Sequence, residues 1–156
     1  MRINLGCNDF KLNDFINLDV DPGVNPDVVA DAMNLPYEDN SVDELYAGHL
    51  LEHFTLQEDP LQEWHRVLKP GGRITVTVPD IETSLKLYSK GELSLQWVND
   101  VVFGAQDRQE QNHHQVFTTD ILKMQFGRYF NNVEMLEDSP YLLAKVPWQT
   151  IITGTK

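Results

Sequence analysis

The chain has 156 residues, 41% hydrophobic and 23% charged, ordinary values for one folded domain with a substantial core. Its 24 acids against 12 lysines and arginines give a formal net charge of −12, the reverse of the clustered basic footprint that neutralises phosphates, which argues against nucleic-acid and anionic-membrane partners. No apolar run is long enough to span a bilayer, the N-terminus MRINLGCN has no apolar leader core, and the single cysteine, Cys7, rules out an internal disulfide; an acidic, soluble, cytoplasmic protein is the expectation.

Residues Arg2 to Leu5 alternate polar and apolar, the pattern of a short strand, and Gly6 ends it. A second strand is predicted over Phe15 to Leu18, ending at Asp19, with Asp21-Pro22-Gly23 turning the chain. Only Cys7 to Asp14 lie between them, too few for the usual crossover helix of a parallel pair, so that helix is expected to be reduced to a loop. Val28 to Ala30 forms a third strand ending on Asp31, and a polar turn with Pro36 and Asn40 leads to a fourth, Val42 to Ala47, followed by His49.

Leu50 to Gln57 reads as a short helix. Asp59-Pro60 supplies the cap and first position of another, Leu61 to Leu68, whose Leu61, Trp64, Val67 and Leu68 share one apolar face. Pro70-Gly71-Gly72 stops it and leads into the strand Arg73 to Val78, closed by Pro79-Asp80. Helices are predicted at Ile81 to Tyr88 and Leu93 to Phe103, and Gln106 to Gln115 reads as a polar loop or flap. Thr119 is expected to cap a helix over Asp120 to Phe126. Val133 to Leu136 and Trp148 to Thr153 are closing strands, turned by Ser139-Pro140 and paired antiparallel. Trp64 and Trp97 are both assigned to the core. Strands alternating with helices imply an α/β fold, here one domain over residues 1–156 with a mostly parallel sheet and an antiparallel C-terminal hairpin.

In such a sheet, ligands bind beyond the carboxyl ends of the strands. Gly6 lets a ligand approach the backbone with no Cβ in the way. Asp19 is placed to accept hydrogen bonds from two ribose hydroxyls, with Asp21 a rival for that position. Asp31 and His49 end their strands on the same rim. Each acid could instead serve only as a turn or cap residue. A dinucleotide site would need G-x-G-x-x-G before a helix that holds the pyrophosphate, and the chain offers only Gly6-Cys7-Asn8-Asp9, with no Walker lysine.

The order and spacing of four stretches resemble the class I S-adenosylmethionine-dependent methyltransferases, specifically small members of the methyltransferase type 11 kind with a shortened first crossover. INLGCND (3–9) resembles motif I, FINLDVD (15–21) the acidic second strand, VVADAMNLPYEDNSVDELYAGHLLEHF (28–54) motifs III and IV, and WHRVLKPGGRITVTVPD (64–80) the loop and fifth strand. The resemblance implies a Rossmann-like methyltransferase fold that takes S-adenosylmethionine, whose lack of phosphate suits a loop without a phosphate cradle. It implies contacts from Gly6, Cys7 and Asn8, ribose on Asp19, the adenine amino group on Asp31 with the backbone of Ala32 and Met33 beside the ring, and His49 at the methionine end. Asn8 stands where the family has a second glycine; asparagine tolerates positive φ, which would preserve the loop. The acceptor would be a small molecule such as a saccharide or other metabolite. His53, Asp80 and His114 are candidate bases should the nucleophile need to lose a proton.

Two other functions remain in view. A methyltransferase-fold protein that binds a partner without catalysing is suggested by Asn8 and the lost crossover helix. A zinc hydrolase is suggested by His49-Leu-Leu-Glu52-His53, a literal H-x-x-E-H whose histidines would share a helical face. No third ligand is identifiable in the sequence, and the expected metal content is none.

Overall fold

The computed structural model describes residues 1–106, 111–138, 141 and 147–156. Seven strands form one sheet: β1 (Arg2–Leu5), β2 (Ile16–Asp19), β3 (Val28–Val29), β4 (Val42–Gly48), β5 (Leu68–Pro79), β6 (Asn131–Leu136) and β7 (Gln149–Thr155). Their spatial order is β3-β2-β1-β4-β5-β7-β6. The first five pair parallel, and β7 runs antiparallel between β5 and β6. This is the α/β architecture the sequence predicts. The expected Ser139-Pro140 turn lies outside the described residues.

The centre of the sheet is β1, β4 and β5. Ile74, Thr75, Val76, Thr77 and Val78 are consecutive and all buried; since side chains alternate between faces, both faces are covered there. The helix α1 (Pro60–Val67) presents Leu61, Trp64 and Val67 to the core, as its spacing predicts, whereas Leu68, expected on the same helical face, is buried as the first residue of β5, and α4 (Thr119–Phe126) adds Leu122 and Phe126. Between β5 and α4 lie α2 (Ile81–Ser89) and α3 (Leu95–Phe103). Thr118, not Thr119, caps α4, its hydroxyl accepting from the Ile121 N–H at 3.2 Å.

The first crossover is indeed a loop, and two buried asparagines replace what a helix would have packed. Asn4 Nδ2 donates to Asn17 Oδ1 at 3.0 Å and to the Phe10 carbonyl at 2.8 Å. Asn17 Oδ1 also accepts from the Leu12 N–H at 2.8 Å, while Asp27 accepts from the Asn17 N–H at 2.7 Å. The two buried amides therefore pair with each other and also satisfy loop backbone that a helix would have satisfied internally.

Two predicted elements differ. Leu50 to Gln57 is no α-helix: only a single 3-10 turn, Leu51–His53, forms. The fifth strand starts earlier than Arg73, because Leu68 pairs with Val42 before Lys69 to Gly72 loop out and Arg73 resumes opposite Glu44. Among the described residues no helix is long and apolar enough to cross a membrane.

Candidate active site

A cleft of about 1120 Å³ opens at the carboxyl ends of β1 to β4, with Gly6, Asp19, Asp31 and His49 all on its wall. Sheet order sets their sequence along the rim: Asp31 beyond β3, Asp19 at the end of β2, Gly6 after β1 and His49 after β4. At about 4.8 Å per strand, the rim from Asp31 to His49 runs roughly 14 Å.

The motif loop is shaped by backbone conformation. Gly6 has φ +59°, and a Cβ built on it would lie 2.7 Å from Leu50 Cδ1. Asn8 adopts φ 42°, so asparagine holds the left-handed position expected of it. Cys7 is buried under the same wall, and burial raises its thiol above the ordinary value, which keeps it an uncharged lining group.

Asp19 Oδ2 accepts from the Asn8 N–H at 2.8 Å and Oδ1 from the Asp21 N–H at 3.0 Å. A carboxylate offers about four acceptor positions, so two remain for a ligand. Asp21 lies beyond the strand end and caps the 3-10 turn Pro22–Val24, its Oδ1 accepting from the Gly23 N–H at 2.7 Å; it too borders the cleft. Asp31 Oδ1 closes a turn by accepting from the Met33 N–H at 2.8 Å, while its Oδ2 has no protein partner among the described residues. Both acids thus hold local turns and keep spare acceptor capacity toward the cleft. Ala32 lines it; Met33 does not, its N–H being committed to Asp31.

The Ala32 segment is fixed by α1. Trp64 Nε1 donates to the Ala32 carbonyl at 3.0 Å, and Glu63 Oε1 accepts from the Leu35 N–H at 2.8 Å. Arg66 holds Glu63 Oε1 at 2.7 Å and Asp39 at 2.7 Å. The Arg66 hydrogen bond, helped by that from Leu35, holds the Glu63 carboxyl below its usual range. The amphipathic pattern of α1 is visible in the sequence; its use as a clamp on the neighbouring loop is not.

At the other end, His49 has φ 52°, an unusual conformation for a residue with a Cβ, the kind of strain that clusters at working sites. Its Nε2 lies 3.0 Å from Gln149 Oε1, and its Nδ1 lies 3.3 Å from Glu52 Oε1. Burial alone would lower this imidazole, yet the Glu52 carboxylate and Gln149 raise it above its ordinary value. At 3.3 Å the Glu52 contact is an ion pair when His49 is protonated, but neither carboxylate oxygen has a partner in good hydrogen-bond geometry among the described residues, and the side chain is 1% exposed. His53 also lines the cleft, its pKa lowered by burial.

Of the other candidate bases, Asp80 is buried away from the cleft and caps α2, its Oδ1 accepting from the Thr83 N–H at 3.0 Å. His114 is exposed and does not line the cleft. Its neighbour His113 does, together with Gln111; residues 107–110 of the predicted flap lie outside the described residues. The inverted zincin arrangement is not formed, because His49 sits in the left-handed region and only Leu51–His53 turn helically, so His49 and His53 do not share a helical face. Trp97 is not core: it is 36% exposed, with its ring 5.0 Å from that of Trp148, which in turn lies 5.5 Å from His49.

Comparison with known proteins points one way. A family model described as a methyltransferase domain matches residues 13–76. The demethylmenaquinone methyltransferase of Staphylococcus epidermidis is 32% identical over 100 residues, covering 53% of this chain and 42% of that protein. Methyltransferase GfsG of Streptomyces halstedii is 36% identical over 64 residues, covering 36% of this chain and 23% of its own length. The chain thus spans less than half the length of these curated relatives. Among solved structures, a SAM-dependent methyltransferase from Archaeoglobus fulgidus superposes with a TM-score of 0.68 at 16% identity, covering 99% of this chain and 85% of that one. A Thermotoga maritima SAM-dependent methyltransferase, described as a possible histamine N-methyltransferase, gives 0.63 at 21% identity, with 99% and 80% covered.

Proposed function

We propose that the chain is a class I, Rossmann-like S-adenosylmethionine-dependent methyltransferase, on the family-model match over residues 13–76 and the shared fold, that its cleft binds that methyl donor and that it transfers the methyl group to a small-molecule acceptor. The observation that carries the reading is the meeting of Gly6, Asp19 and Asp31 on one open wall that lacks a phosphate-binding glycine loop. When bound, the donor supplies a methyl group already activated on a sulfonium, so the protein's task is chiefly alignment. Asp19 accepts from the two ribose hydroxyls with its remaining lone pairs. Oδ2 of Asp31 accepts from the adenine amino group, beside Ala32, and the Gly6 backbone borders the ligand, its missing Cβ leaving room for the Leu50 side chain. His49 stands toward the methionine end. His53 is the base candidate that borders the cleft, whereas Asp80 and His114 are set back from it.

A small acceptor accords with the net charge of −12, which leaves no basic footprint for a nucleic acid. The quinone-methylating relative suggests a small organic ring as one acceptor class, alongside a saccharide. Titration calorimetry on the folded protein is the test: S-adenosylhomocysteine should bind at a single site, while ATP and NAD at equal concentration give no saturable heat. Absence of S-adenosylhomocysteine binding would leave a fold-retaining partner protein as the better account.

A further inference from the structure

We propose that Glu52, His53 and His113 form a three-ligand site for a divalent transition-metal ion in the wall of the cleft. One ligand atom from each lies within 4.8 Å of the other two. Atoms about 2.1 Å from a zinc ion sit roughly 3.4 Å apart, so occupancy requires them to close by up to about 1.4 Å, within reach of side-chain rotation.

Three features distinguish this cluster from chance proximity. The Glu52 carboxylate is buried at 1% exposure with neither oxygen in good hydrogen-bond geometry to any partner among the described residues. A buried charge in that condition is costly unless a counter-charge completes it, and His49 at 3.3 Å lies beside only one oxygen. Both ligand imidazoles are held by their other nitrogen: His53 Nδ1 lies 3.2 Å from the Asn112 carbonyl and His113 Nδ1 lies 2.9 Å from that of Val101. A carbonyl can only accept, so each Nδ1 carries the proton and each Nε2 presents a lone pair, the arrangement that orients metal-ligating histidines. The two rings meet edge to face with centroids 4.9 Å apart.

The backbone fixes this placement. The Glu52 carbonyl accepts from the His114 N–H at 2.8 Å and the Gln115 N–H at 3.2 Å, and Gln115 Nε2 donates to the Phe54 carbonyl at 2.9 Å. On the other side Gly104, at φ +77°, lets the returning chain pass: a Cβ there would lie 1.9 Å from the Gln111 carbonyl oxygen. The segment carrying His113 is thus tied to the turn carrying Glu52 and His53.

Two imidazole nitrogens with one carboxylate oxygen suit Zn²⁺, Fe²⁺ or Co²⁺, not Mg²⁺ or Ca²⁺, which favour oxygen shells. His53 and His113 both line the cleft, so the open coordination position faces it, where an oxygen of a bound molecule can complete the shell. This inference is independent of methyl-donor binding, although a metal-bound His53 would no longer be free to act as the base.

The test uses the full chain, stripped with a chelator, titrated with Zn²⁺ in a calorimeter and with Co²⁺ followed by visible absorption. One equivalent of Zn²⁺ should bind with a Kd of about 1 μM or tighter, and Co²⁺ should give the visible bands of a four- or five-coordinate ion. Glu52→Gln, which preserves side-chain shape, and His113→Ala should each weaken Zn²⁺ on the order of 100-fold, while His65→Ala, on α1 against Tyr129 and Phe130, changes nothing. Melting curves of the metal-free variants verify that they fold. No stoichiometric binding, or binding that survives both ligand substitutions, overturns the proposal. S-adenosylhomocysteine titrated in parallel separates the two readings: loss of one ligand without the other sinks only the corresponding one.

Discussion

Replacing Asp19 by alanine is expected to weaken S-adenosylhomocysteine binding by about 2 to 3.5 kcal/mol, roughly 30- to 300-fold. The estimate follows from the carboxylate's occupancy. Two acceptor positions are used by the N–H groups of Asn8 and Asp21, at 2.8 and 3.0 Å, and the other two would meet the ribose hydroxyls. Hydrogen bonds to a charged acceptor contribute about 1.5–3 kcal/mol each, partly offset by water that fills the truncated site. The same substitution frees two backbone donors that solvent can reach, so folding stability should fall by only about 1 kcal/mol. Asp19→Asn keeps one acceptor oxygen and should fall between the two in affinity. Calorimetry paired with thermal melting separates the effects; unchanged affinity in Asp19→Ala would remove this residue from the site.

Trp64→Ala should cost about 3–5 kcal/mol of stability, the range for emptying a large buried aromatic position. Trp64 is fully buried beneath the sheet, its ring edge-on to Phe54 with centroids 6.2 Å apart. Its indole is also the donor to the Ala32 carbonyl at 3.0 Å, so the substitution strands a buried acceptor as well as opening a cavity. Trp64→Phe keeps most of the packing and removes only the donor, for about 1–2 kcal/mol. That variant should fold and still bind S-adenosylhomocysteine more weakly, since the Ala32 segment loses its clamp. Urea unfolding gives the first quantity and calorimetry the second. A cost below about 1 kcal/mol for Trp64→Ala would contradict the packing described for α1.

The strand ends were legible because their signals are local. Period-two alternation, then Gly6, Asp19 or Asp31, marks where a strand stops, and a parallel sheet aligns those stops on one edge. The shortened crossover was readable by counting residues, whereas the role of Asn4 and Asn17 in holding it depends on which amides end up buried. Leu50 to Gln57 misled because its composition suits a helix; pairing of Glu52 and Phe54 with residues 114 and 115, from far along the chain, leaves one 3-10 turn instead. His53 and His113 meet across that same long-range pairing, so no spacing rule could have joined them. Helical spacing alone places Trp97 inward, yet the face of α3 it occupies is exposed beside Trp148. Adjacent threonines at 118 and 119 leave the cap position open to a one-residue shift that only the backbone geometry decides.

The most direct measurement is a crystal structure of the protein soaked with S-adenosylhomocysteine. The account predicts its adenosine along the rim from Asp31 to Gly6, both ribose hydroxyls within hydrogen-bond distance of the Asp19 carboxylate and the adenine amino group on Oδ2 of Asp31. An adenosine lodged elsewhere, or a ribose out of reach of Asp19 in a filled cleft, would contradict it.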